Sequence, residues 1–314
     1  MIINKIYTKL RIYIILMVPL VMSKVTSAQS LPLYSQYMYN MVNINPAYAG
    51  NRGVPSLSAI WREQWVGLPG APTTKSFSYD FASNSKQVGI GIQLFEDKYV
   101  NYIKRTGAAL NYNMKVRIAQ QGVLSLGLKF GFYNDSKSLY GSYLGATGNS
   151  NDVVVASNLN KVIPVAGAGV YYNDDKFYAG ISVPDVVSFS TSQNYNADNT
   201  LYQVKQAHYF LTTGYSFDLN EDIQLKPSLL LKAVSGAPLL LDVNTNLWMR
   251  NIVGVGVSYR TGESVLGMVE MQITPQLRFG YAYDMPYKRP NSHEFFLRYE
   301  FGRLFPNNKT INLY

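Results

Sequence analysis

Apolar and polar residues alternate with a period of two along most of the chain, the spacing of extended strands whose two faces meet different surroundings. The last hairpin shows it in the fewest residues. Leu277, Phe279, Tyr281, Tyr283 and Met285 alternate with Gln276, Arg278, Gly280, Ala282 and Asp284. After a turn carrying Pro286, Pro290 and Asn291, Phe295, Leu297, Tyr299 and Phe301 alternate with Glu294, Phe296, Arg298, Glu300 and Gly302. Strands of roughly ten residues, aromatic on one face and small or charged on the other, suit a wall with lipid outside and a wet or packed lumen inside.

The same alternation recurs upstream. Residues 55–65 and the run with Phe77, Tyr79 and Phe81 read as strands on either side of a Gly/Pro loop at 67–72. Residues 88–94 supply a third, 99–118 a longer fourth and 124–132 a fifth. The polar stretch 134–161 reads as a long loop, 164–172 and 177–183 as a tight hairpin, and 184–202 as a second long loop. Residues 203–217, 223–231, 239–249, 252–259 and 264–273 complete a tally of about fourteen strands with the last hairpin. Counted up and down, both long loops fall at one end, whereas the short turns at 119–122, 173–176, 218–222, 250–251 and 274–275 fall at the other. An even strand number with long loops on one side predicts an all-β, transmembrane, antiparallel up-and-down β-barrel of the bacterial outer membrane. A soluble sandwich has no reason to sort loop lengths in this way.

Composition agrees. Of 314 residues only 15% are charged, with 26 Tyr, 14 Phe and 24 Gly. The one long apolar run, 12–22, follows Lys5, Lys9 and Arg11 and precedes Thr26, Ser27 and Ala28, the pattern of a secretory signal peptide cleaved before Gln29; a retained anchor is the alternative, on a run short for a bilayer. Removing residues 1–28 takes four basic residues and no acid from a net charge of +9, leaving 9 − 4 = +5. The remaining basic residues are scattered among strands, so no nucleic-acid partner is expected. The absence of cysteine excludes disulfides, thiolate metal sites and a Cys nucleophile. The domain expectation is a signal peptide at 1–28, a lead-in or lumen plug at 29–53, a transmembrane barrel at 54–303 and a short extension at 304–314.

Tyr34-Ser35-Gln36-Tyr37, Asn45-Pro46-Ala47-Tyr48-Ala49-Gly50, Arg62-Glu63-Gln64-Trp65 with Gly70-Ala71-Pro72, and the closing stretch from Ser292 to Phe301 together resemble the PorP/SprF family of the type IX secretion system over nearly the whole mature length. Asn291 stands where the family pattern has Gly before Ser-His-Glu. The resemblance implies an outer-membrane barrel that assists secretion or surface attachment of a large adhesin, in gliding or adhesion. Its implied partners are outer-membrane lipid, a secreted adhesin with a C-terminal sorting domain and other type IX components.

Little in the chain suggests catalysis. Two histidines leave few options for a His-based site: His293-Glu294 continues as Phe-Phe-Leu and is no His-Glu-x-x-His helix, and His208 shares parity with Thr212 and Ser216, which places it in the lumen or at its rim. The pairs Gly89/Gly91, Gly167/Gly169 and Gly254/Gly256 do not complete a nucleotide loop and suit interior positions where strands curve or contents approach closely. Asp174-Asp175 lacks a calcium-loop spacing. The inward parity of the last two strands carries Arg278, Asp284, Glu294, Arg298 and Glu300, a candidate lumen ion-pair cluster whose expected role is structural. No enzyme activity, cofactor or metal is expected. A transport barrel for small or apolar solutes is the alternative function that the same strands allow, and a barrel protease or lipase would have to rest on His208 or His293.

Overall fold

The computed structural model describes residues 34–99, 103–118, 122–137, 159–193, 200–204, 207–235 and 237–302. Its strands in chain order are β1 (Ser56–Glu63), β2 (Thr73–Ala82), β3 (Val88–Tyr99), β4 (Ile103–Arg117), β5 (Val123–Lys137), β6 (Leu159–Asn173), β7 (Phe177–Gln193), β8 (Thr200–Val204), β9 (His208–Tyr215), β10 (Phe217–Asp218), β11 (Ile223–Val234), β12 (Leu240–Met249), β13 (Val253–Arg260), β14 (Ser264–Gln272), β15 (Leu277–Pro286) and β16 (Ser292–Glu300). Neighbours around the ring pair antiparallel, and β16 returns to β1 in unbroken register from Ser56 opposite Glu300 to Glu63 opposite His293. β9 and β10 form one stave between β7 and β11, while β8 folds back on the far end of β7. The product is a closed fourteen-stranded antiparallel barrel. Closure leaves no edge, as lipid requires, because an unpaired backbone N–H or C=O in hydrocarbon is costly.

The two faces are sorted by parity. Trp61, Phe77, Leu94, Leu128, Phe130 and Val257 are exposed outward, and the alternate positions Ser58, Ser78, Gln93, Lys129 and Ser258 are buried inward. This inversion of the soluble pattern is what a lipid-facing wall needs. On β2 to β5 the outward apolar band stops along a row of paired residues, Lys75, Glu96, Thr106 and Asn134, next to Trp61 on β1.

Several expected boundaries shift. β3 runs to Tyr99, which therefore does not open the fourth strand. Both long loops are shorter than their composition suggested. Asn134 to Lys137 extend β5 and pair with residues at the start of β6, from Leu159 to Val162. β7 continues through Pro184 to Gln193 and pairs with β8. Strand residues beyond the apolar band have no lipid to face, so they lose the period-two signature although the ladder continues. Pro184 is tolerated because the β6–β7 register slips there, between Ala166 and Ala168, and the bulge spares a ladder bond. The expected strand 203–217 breaks at Ser216, whose N–H goes to the Lys176 carbonyl at 2.8 Å. The expected signal peptide and C-terminal extension, and much of both long loops, lie outside the described residues.

Candidate functional site

Residues 34–54 enter no strand, and their sequence explains why. Tyr, Asn and Pro without alternation form three single-turn 3-10 helices, Tyr37–Tyr39, Met41–Asn43 and Pro46–Tyr48. Asn45 starts the last one: its side chain accepts the Ala47 N–H at 3.0 Å and Pro46 occupies the first helical position. Gly50 then turns the chain at φ +68°.

Hydrogen bonds tie this segment to strands on opposite sides of the ring, which places it inside the barrel. Toward β16, the Ser35 and Gln36 N–H groups donate to the Glu294 carboxylate at 2.8 and 2.7 Å. Toward β12, the Tyr39 hydroxyl donates to Asn246 at 3.1 Å. Toward β2, the Gly50 N–H donates to Asp80 at 2.9 Å. Toward β4, Asn113 donates to the Ala49 carbonyl at 2.8 Å, and toward β7, Ser182 donates to the Ile44 carbonyl at 2.6 Å. Tyr37, Met38, Tyr39 and Met41 are buried against wall side chains that include Ile60, Phe210, Leu230, Trp248 and Phe296, forming the main apolar core.

Wall glycines make room for it. A Cβ on Gly127 would collide with Ala47, one on Gly89 with the Ala49 carbonyl, and one on Gly169 with the Asn45 side chain. Gly167, by contrast, packs on Pro184, and Gly254 and Gly256 pack on Trp248 and Asn246.

The five inward charges of the last hairpin divide between two networks and a separate pair. Asp284 and Glu294 meet at Arg62, 2.8 and 3.2 Å away, and Arg260 joins them through Asp284 at 3.7 Å and Asp242 at 2.9 Å. Arg298 pairs with Glu300 at 3.1 Å, Arg52 approaches Glu300 at 3.7 Å, and both arginines donate to the Tyr39 carbonyl. Arg278 stands apart from both, paired with Glu270 at 3.2 Å and lying over the Trp248 ring at 4.7 Å. Of the five, Arg298 and Glu300 form an ion pair within the set, and Arg278 lies opposite Arg298 in the β15–β16 ladder. Arg62 and Arg260 share inward parity with Ser58 and Ser258, so strand alternation marks them as inward-facing. Arg52 lies in the aperiodic segment and carries no such signal.

These buried pairs offset one another's charge, and Glu294, Arg52 and Arg298 also bond the backbone of the inner segment. The histidines stand apart from them. His293 faces outward, 2.8 Å from the Tyr281 hydroxyl, and His208 is buried on the inward face of β9. Among the described residues no group of three or more His, Asp or Glu is placed to hold a metal ion.

At the long-loop end, the Arg62 to Trp65 motif closes the rim. The Trp65 N–H donates to Ser292 at 3.1 Å, Arg289 stacks on its ring at 4.0 Å, and the Gln64 N–H reaches the Pro72 carbonyl at 2.9 Å.

Among solved structures the chain is similar to the Acinetobacter baumannii outer membrane protein Omp33, at 10% identity and a TM-score of 0.46, covering 79% of this chain and 100% of that one. It is also similar to a Pseudomonas aeruginosa FadL homologue, at 10% identity and a TM-score of 0.47, over 86% and 95% of the two chains. No curated protein matches. The family model described as type IX secretion system membrane protein PorP/SprF matches residues 26–299, spanning the inner segment and all but the final residue of the barrel wall. This outer-membrane barrel, with its lumen occupied by its own N-terminal segment, belongs to the PorP/SprF family of type IX secretion system membrane proteins.

Proposed function

We propose that the protein is a non-enzymatic outer-membrane scaffold that helps a large secreted adhesin, bearing a C-terminal sorting domain, reach or stay on the cell surface for gliding or adhesion. In this reading residues 1–28 are a cleaved signal, 29–53 plug the lumen, 54–303 form the wall and 304–314 extend from it. The observation that carries it is the inner segment, hydrogen-bonded to strands on opposite sides of the ring. A lumen so occupied suits anchoring better than solute passage, and recognition then falls to the loops that the rigid wall presents.

Removing residues 145–157 tests this. The expected result is an inserted, heat-modifiable barrel with less adhesin on the surface by immunolabelling. Unchanged display would move recognition to another surface. Steady conductance of the purified wild-type barrel in planar bilayers would favour the transport alternative.

A further inference from the structure

The outer wall carries a notch whose position and charge are not accounted for by the inner segment or the rim. One row of paired outward residues reads Phe279, Leu297, Ala59, Phe77, Leu94 across β15, β16, β1, β2 and β3. Four large side chains flank one methyl group, and the gap at Ala59 opens into a lipid-facing groove of about 600 Å³, within the range of roughly 300–1,000 Å³ typical of ligand sites. Trp61 stands directly above Ala59 on β1.

Charge gathers where that groove meets the edge of the apolar band. Glu96 draws in Lys104 at 2.6 Å, Lys75 at 3.9 Å and Lys98 at 4.0 Å, and Lys75 lies over the Trp61 ring at 5.7 Å. The cluster carries 3 − 1 = +2, and its lysine side chains are about half exposed, at 46–56%. An apolar slot leading up to a doubly positive cluster at the long-loop, outer-leaflet side matches an acyl chain joined to a phosphate.

We propose that this groove is a specific site for one phosphate-bearing lipid of the outer leaflet, with an acyl chain against Ala59 and the phosphate held by Lys75, Lys98 and Lys104. Charge complementarity selects the occupant: an uncharged or zwitterionic lipid would fill the slot but leave the cluster unneutralised.

Native mass spectrometry of the detergent-purified full chain tests it, with dioleoylphosphatidic acid and dioleoylphosphatidylcholine as probes. Wild type should retain one phosphatidic acid in preference to phosphatidylcholine. Lys75→Gln/Lys98→Gln/Lys104→Gln should lower that preference by about a hundredfold, from roughly fivefold for each of the three basic residues at a membrane surface. Ala59→Phe, which fills the slot with a residue common on this face, should reduce retention of both lipids while leaving heat modifiability unchanged. Equal preference in wild type and the triple variant would overturn the proposal. Displacement of phosphatidic acid by inorganic phosphate with no effect of Ala59→Phe would reassign the lysines to a free anion and overturn it too. Loss of a co-purifying membrane protein from the triple variant with lipid preference intact would assign the face to that partner instead.

Discussion

The Ser35 backbone N–H donates to the Glu294 carboxylate at 2.8 Å across 259 positions of sequence, and Arg62 holds the same carboxylate at 3.2 Å. Three separated stretches, the Tyr34 to Tyr37 motif, the Arg62 to Trp65 motif and the start of β16, thus meet at one buried group. Glu294 is the pin that fastens the inner segment to the seam where the barrel closes.

Removing that carboxylate takes from the buried Arg62 guanidinium one of its two carboxylate partners and leaves two backbone donors without an acceptor. Glu294→Ala should lower stability by about 3–5 kcal/mol, read as a lower temperature for loss of the heat-modifiable form. Arg62→Met/Glu294→Met should recover only part of this, because Ser35 and Gln36 still lack an acceptor. Full recovery in the double variant would mean that the two N–H bonds contribute nothing.

Glycine at the wall decides whether the inner segment fits. Gly127→Leu places side-chain atoms where Ala47 lies and should expel the segment while the wall persists, giving protease cleavage within residues 34–54 and new conductance in planar bilayers. Gly267→Ala, with open space around the added carbon, is the control and should change neither readout. Intact protection in Gly127→Leu would contradict the packing described.

Parity assigns Val257 to lipid and Ser258 to the lumen. Val257→Arg should cost about 2–4 kcal/mol if that position lies near the midplane, lowering the assembled fraction, whereas Val257→Leu should assemble normally. Equal assembly of the two variants would refute the outward assignment of that face.

Orientation is open to direct labelling, since the chain has no cysteine of its own. Tyr287→Cys, in the exposed β15–β16 loop, should react with an impermeant maleimide in intact cells. Asn251→Cys, in the β12–β13 turn, should react only after the outer membrane is permeabilised. The reverse pattern would invert the barrel.

Alternation alone determined the strands, their number, the two faces and the end that carries the long loops, because lipid on one side and a polar interior on the other impose a period of two on every residue inside the apolar band. That signal fades once the strand leaves the band, so the polar extensions Asn134 to Lys137 and Val186 to Gln193 read as loop. The inward parity of Arg278, Asp284, Glu294, Arg298 and Glu300 was equally legible. Their partners were less so: Arg62 and Arg260 carry the same parity on strands far away in sequence, and barrel closure alone makes them neighbours. The path of residues 34–54 belonged wholly to the tertiary structure. A segment without periodicity takes its shape from the wall around it, from glycines at 89, 127 and 169 that leave room and from carboxylates at 80 and 294 that receive its N–H groups, and none of those relationships is local in the chain.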